Sequence, residues 1–138
     1  MRTLVLAILT LSACTANAGD KTELAKPVKA GQAVAIFAGG CFWCIESDFE
    51  KLKGVIEAES GYTGGDEKGA TYKQVGYGLT SHLEGLRVVY DPKKVTYPEL
   101  VDYFFHHVDP TQTDGQFCDK GAHYTTAIFV HDEAERKV

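Results

Sequence analysis

Cys41 and Cys44 stand three residues apart in Ala38-Gly39-Gly40-Cys41-Phe42-Trp43-Cys44, around the only tryptophan of the chain. A short apolar run precedes the pair and a helical pattern follows, so Cys41 falls where a strand ends and a helix begins. Unpaired backbone N–H groups and the positive end of the helix dipole favour thiolate over thiol there, and the thiolate is the nucleophile. The glycine pair permits a sharp turn that leaves the sulfur uncovered. Phe42 and Trp43 lie off the helix face set by Ile45, Phe49 and Leu52, which makes them candidate walls of a small apolar pocket rather than core. Farther along, Glu84 starts a strand just after His82, and Asp119 directly follows Cys118. His82 reads as structural, hydrogen-bonding near the strand start.

The rest of the cysteine inventory depends on the N-terminus. Arg2 precedes an apolar run from Leu4 to Leu11 that is too short to span a bilayer and is followed by small residues, the pattern of an export signal. Two processing sites fit equally well: a cut after Ala18, making residues 1–18 the signal, or a lipoprotein box at Leu11 to Cys14, removing residues 1–13 and leaving Cys14 lipidated. Residues 19–31 then form a polar tether carrying Lys21, Lys26, Pro27 and Lys29, and residues 32–138 form one domain. The expected location is the bacterial periplasm, or a lipid anchorage on the envelope facing it. With Cys14 lost or lipidated, Cys41, Cys44 and Cys118 remain, and an odd count in an oxidising compartment points to a reactive thiol. Nineteen acidic against 14 basic residues, with no basic cluster, argue against nucleic acid or an anionic membrane surface as partner.

Periodicity supplies the elements that position these residues. Ala33 to Ala38 reads as a central strand, and Phe42 to Gly54 as a helix with Ile45, Phe49 and Leu52 on one face. A strand at Val55 to Ser60 leads into a long loop, Gly61 to Ser81, with a short extended piece at Tyr72 to Tyr77. Glu84 to Pro92 reads as a third strand. Thr96-Tyr97-Pro98-Glu99 matches a capping box with proline in the first turn, opening a helix with Leu100, Phe104 and Val108 on one side and Asp109-Pro110 as its stop. A polar loop runs to His123, and Thr125 to Val130 is a fourth strand. The order β-α-β-β-α-β predicts an α+β, ferredoxin-like split βαβ fold: a two-layer sandwich with a largely antiparallel four-stranded sheet, two helices on one face and long active-site loops.

A CxxC pair on its own leaves several readings open. Thioredoxin-like disulfide exchange fits strand, CxxC and helix, but that fold needs a proline leading into a strand opposite the cysteines, and Pro98 opens a helix. A zinc module could draw on Cys41, Cys44, Cys118 and His123, yet structural zinc uses two compact knuckles and the second is loose here. A binding module with an incidental disulfide explains neither the odd cysteine nor the carboxylates beside it.

Seven segments carry a resemblance: Gly40 to Cys44, Gly61 to Gly65, Thr71 to Val75, Ser81 to Gly85, Val88 to Pro92, Val108 to Gln112 and Gly115 to Tyr124. Their order and content resemble the A-type peptide methionine sulfoxide reductases over nearly all of residues 33–130. The resemblance implies reduction of one epimer of methionine sulfoxide, the S epimer, in proteins or as the free amino acid. It implies Cys41 as nucleophile and Glu84 as acid, with Tyr72, Asp119 and Tyr124 orienting the oxygen and Phe42 and Trp43 holding the methyl group. Cys44 is the first candidate to resolve the resulting sulfenic acid, being one helical turn away, and Cys118 the second. A thioredoxin-type dithiol would complete the cycle, with a monomeric enzyme and no metal or organic cofactor. Ser81 stands where the family commonly has glycine, and Leu83 where it usually has alanine. Family members also continue beyond the point where this sequence stops, so a C-terminal tail is expected to be truncated.

Overall fold

The computed structural model describes residues 27–138. The segments expected to be an export signal, with Cys14, and a tether up to Lys26 lie outside the described residues.

Strand β1, Ala33–Ala38, buries Ala35 and Phe37 completely, in step with the period of two. Helix α1 follows at Phe42–Phe49, short of the expected stop at Gly54, and buries Phe42, Ile45 and Phe49; Phe42, expected off that face, shares it because the spacing 42, 45, 49 follows one side of the helix. Strand β2, Val55–Thr63, runs three residues past the expected end at Ser60, because Gly61, Tyr62 and Thr63 stay paired with Gly85, Glu84 and Leu83. Strand β3, Leu83–Tyr90, is buried along most of its length. Helix α3, Tyr97–Phe105, opens as predicted on a reciprocal Thr96–Glu99 capping box with proline in its first turn. It ends before Val108, where the His106 and His107 rings donate to the carbonyls of Asp102 and Tyr103, each 2.7 Å away, and tie off the last turn.

The long loop departs from expectation. Tyr72–Gly76 is a helix, α2, not an extended piece, because Thr71 and Gln74 form a second capping box. The polar stretch before His123 contains a small hairpin, β4 (Gly115–Gln116) with β5 (Asp119–Lys120), and a 3-10 turn at Ala122–Tyr124. Strand β6 is confined to Ala127–Phe129.

The main sheet has the order β2-β3-β1-β6 with every pair antiparallel. Both α1 and α3 pack on the face that carries Ala35, Phe37, Leu86 and Val88, forming one core with Ile45, Phe49, Leu100 and Phe104. Each fully buried phenylalanine stabilises by about 1.5–3 kcal/mol. The result is a mixed fold in which the C-terminal end of β1, the start of α1 and the start of β3 meet.

Candidate active site

Close packing dictates the glycine pair after β1. A Cβ on Gly39 would stand 2.6 Å from Val108 and 2.8 Å from Phe104, and one on Gly40 would stand 2.7 Å from Gln116. Gly40 also holds φ at +84°, a conformation that costs other residues strain. Behind it lies Gln116, 1% exposed, whose amide accepts from the Asp109 N–H at 2.7 Å and donates to the carbonyls of Asp109 (2.8 Å) and Gly115 (3.0 Å). Gln116 thus forms a solid floor under the turn. Sequence reasoning missed this role because a buried glutamine has no periodic signature.

That turn places Cys41 as the N-cap of α1, half-buried, without a side-chain cap hydrogen bond of its own. Cys44 and Cys118 are exposed, and all three cysteines are free thiols. Burial first, then the neighbouring Cys41 sulfur and the charges of Asp119 and Asp48, push the Cys44 thiol's pKa up. Cys118 sits at the β4–β5 turn, behind Phe117 at φ +49°. Glu46 fixes the middle of α1, accepting from both the backbone N–H (3.0 Å) and the hydroxyl of Ser60 on edge strand β2.

Glu84 arrives from β3 and is 3% exposed. Its Oε2 accepts from the Phe42 N–H at 3.1 Å, one of the orphan donors in the first turn of α1. Burial pushes the Glu84 carboxyl up, the negative charge of Asp119 adds to this, and the Phe42 N–H opposes it in part. Tyr124, from the 3-10 turn, has its phenol pushed up to about 12 by burial first and then by Glu84, Tyr72, Asp119 and Cys41. Five of the predicted site residues therefore act on one another electrostatically.

The aromatic wall is larger than expected. Phe42 lies 5.2 Å from Trp43, 5.6 Å from Tyr62 and 6.4 Å from Tyr72, centroid to centroid, and Trp43 stacks on Tyr72 at 5.8 Å and 17°. Trp43 and Tyr72 are open rim, 60% and 53% exposed, whereas Phe42 is 5% exposed and forms the base. Tyr62 is the added member. It pairs with Glu84 across the sheet, so the two side chains share a face, and its phenol is pushed up by burial, Glu84 and Tyr72. Only the β2–β3 register reveals it. His123 packs on the Tyr124 ring at 4.0 Å, and burial lowers its pKa. Among the described residues no three His, Cys, Asp or Glu side chains are grouped to hold a metal ion, so the zinc module lacks its geometry.

A family model described as peptide methionine sulfoxide reductase matches residues 33–138. The chain belongs to that family. It is 47% identical to the MsrA/MsrB reductase of Vibrio cholerae over 133 residues, which is 96% of this chain and 35% of that protein. It is 49% identical to MsrA of Ligilactobacillus salivarius over 75% of this chain and 60% of that one. The chain thus spans between about a third and three fifths of these two relatives. Among solved structures, Mxr1 of Saccharomyces cerevisiae in its reduced form superposes with a TM-score of 0.76 at 35% identity, over 83% of this chain and 68% of that chain. The same yeast protein in complex with Trx2 gives 0.56 at 26% identity, over 83% of this chain and 66% of that chain. Family membership leaves the thioredoxin-like and zinc readings without support.

Proposed function

We propose that the chain reduces methionine S-sulfoxide to methionine through Cys41. The observation that carries this reading is a buried carboxyl, Glu84, held by the first N–H of the helix that Cys41 caps. The Cys41 thiolate attacks the sulfoxide sulfur. Glu84, whose pKa burial raises, delivers a proton to the oxygen, since oxide is an impossible leaving group at neutral pH. The S–O bond then breaks as the hydroxyl passes to Cys41, and the new sulfur–sulfur bond parts with its electron pair on the substrate sulfur, giving methionine and a cysteine sulfenic acid. Tyr72, Asp119 and Tyr124 orient the oxygen, while Phe42 and Trp43, with Tyr62 behind them, receive the methyl group.

Cys44 then attacks the sulfenic acid, releasing water and forming a disulfide with Cys41; its place one turn along α1, with its backbone N–H on the Cys41 carbonyl at 3.0 Å, supports this order. Cys118 is the second acceptor, and an external thioredoxin-type dithiol takes the disulfide away, with no metal or organic cofactor. The complex of Mxr1 with Trx2 supports such a partner. The same reading takes the frame as ferredoxin-like, supported by β3 lying antiparallel between β1 and β2. Export to the periplasm, cleavage at Ala18 or lipidation at Cys14, and action as a monomer belong to this proposal on the strength of the sequence alone.

The test is turnover on peptides carrying either sulfoxide epimer, with a thioredoxin-type reductant. The S epimer is consumed and the R epimer is not. Cys44→Ser loses most of the turnover and Cys118→Ser only part. Consumption of the R epimer alone would sink the reading, and turnover lost in Cys118→Ser but kept in Cys44→Ser would reverse the relay.

A further inference from the structure

Residues 64–82 carry Tyr72 to the site, and one imidazole ties the two ends of this segment together. His82 Nδ1 accepts a hydrogen bond from the Gly65 backbone N–H at 3.2 Å, while Nε2 lies 2.7 Å from the Glu67 carbonyl oxygen. An N–H only donates and a carbonyl only accepts, so the ring is fixed as the neutral tautomer with its proton on Nε2. The Glu67 carboxylate makes the return contact. Its Oε2 accepts from the Ser81 hydroxyl at 3.1 Å, and both oxygens lie 3.3 Å from the Ser81 N–H. The hydroxyl contact comes from the residue at which this sequence departs from the family's common glycine.

The clasp leaves no room for change at Gly65, where a Cβ would stand 2.6 Å from the His82 ring and 2.7 Å from its backbone nitrogen. The His82 side chain is 11% exposed, with its Gly65 bond part-buried and its Glu67 bond at the surface. Inside the closed segment α2 is anchored from below by Val75, 1% exposed, and presents Tyr72 to the face of Trp43. Two residues past His82, β3 delivers Glu84.

We propose that His82 is a positioning residue: by closing residues 65–67 onto residues 81–82 it holds α2 where Tyr72 stacks on Trp43. Only the kinetic consequence of this proposal rests on the reductase reading. The stack itself is observable without substrate.

The experiment uses the full chain and the emission of Trp43, its only tryptophan. Tyr72→Ala removes the stack and defines the shifted emission. His82→Ala should reproduce at least half of that shift with unchanged far-UV circular dichroism, and Tyr72→Ala added to it should bring the emission only to the Tyr72→Ala value. His82→Asn, whose side-chain oxygen can accept from Gly65, should return most of the wild-type emission. In turnover, kcat/KM of His82→Ala should fall by about tenfold to a hundredfold, the scale of a small misplacement, and its effect and that of Tyr72→Ala should be non-additive. Wild-type emission in a folded His82→Ala overturns the proposal. Should His82→Ala lose its native circular dichroism, His82→Phe keeps a ring in the space while removing both hydrogen bonds, and wild-type emission there overturns it equally. The expected emission series in a chain without reductase activity would sink the reductase reading and leave the clasp standing.

Discussion

Helix α1 places an aromatic ring at each end, in two different surroundings. Phe49, at its end, packs on Phe37 at 5.2 Å, and Phe37 packs on Phe104 at 4.9 Å; all three are without exposure. Phe42, at its start, packs on Trp43, Tyr62 and Tyr72, and two of those rings are more than half exposed. The first cluster meets a single phenol at its edge, Tyr103 against Phe49 at 5.3 Å with its hydroxyl spent on the Asp48 carbonyl, and serves to fix the helix against the sheet. The second carries two phenols and borders a buried carboxyl and a thiol. The helix joins a rigid end to a reactive one, with Glu46 on Ser60 as the tie between them. Burial of the rings makes scaffold, and their exposure beside Cys41 makes a recognition surface.

Damage to either cluster should therefore read out differently. The largest effect is expected at the reactive end: Glu84→Gln should slow sulfoxide reduction by roughly two to four orders of magnitude, the usual share of general acid catalysis, while leaving the fold intact. Single-turnover rates check this, and a near-normal rate removes Glu84 from its role. In the core, Phe49→Ala should cost about 3–5 kcal/mol of stability, measured by denaturant unfolding, with kcat/KM unchanged wherever the variant remains folded. Between the clusters, Gly40→Ala should cost about 1–3 kcal/mol through backbone strain, and it should depress activity as well because Cys41 adjoins the distorted turn.

The smallest effect is electrostatic. Burial raises the folded-state pKa of Glu84, so the folded protein holds a proton over a range in which the unfolded chain has released it. The contribution of Glu84 to stability is thus fully present below the unfolded pKa and is lost as pH rises through the folded pKa. Glu84→Gln, neutral throughout, should gain in Tm relative to wild type as pH rises above the ordinary glutamate pKa of about 4.3, and the gain should level off once the folded-state carboxyl has ionised. Parallel melting curves across that range would contradict it.

The elements most legible in the sequence are those with local signatures. The Thr96–Glu99 box, the apolar face of α1 and the Gly39-Gly40 turn are all written in residues a few positions apart. The same kind of signature at Thr71–Gln74 is masked, because α2 is one turn long and lies among glycines, threonines and tyrosines that suggest extended chain. Tyr62, Gln116 and the Gly65–His82 clasp depend on partners from 7 to 22 residues away, such as Asp109 for Gln116 and Glu84 for Tyr62. Such contacts follow from strand register and loop closure, which no local pattern encodes. The predicted hydrogen bonding of His82 near the start of β3 is present, but its partners lie across the loop.

The central claim is that Cys41 takes the oxygen. Its most direct test is the methionine released from excess S-sulfoxide by Cys44→Ser in the absence of any reductant, with mass mapping of the cysteine peptides. A stoichiometric burst is predicted, with the oxygen trapped on Cys41 or Cys41 joined to Cys118, and no burst in Cys41→Ser. A burst that survives Cys41→Ser, or oxidation mapping to Cys118 while Cys41 remains a thiol, would contradict the account.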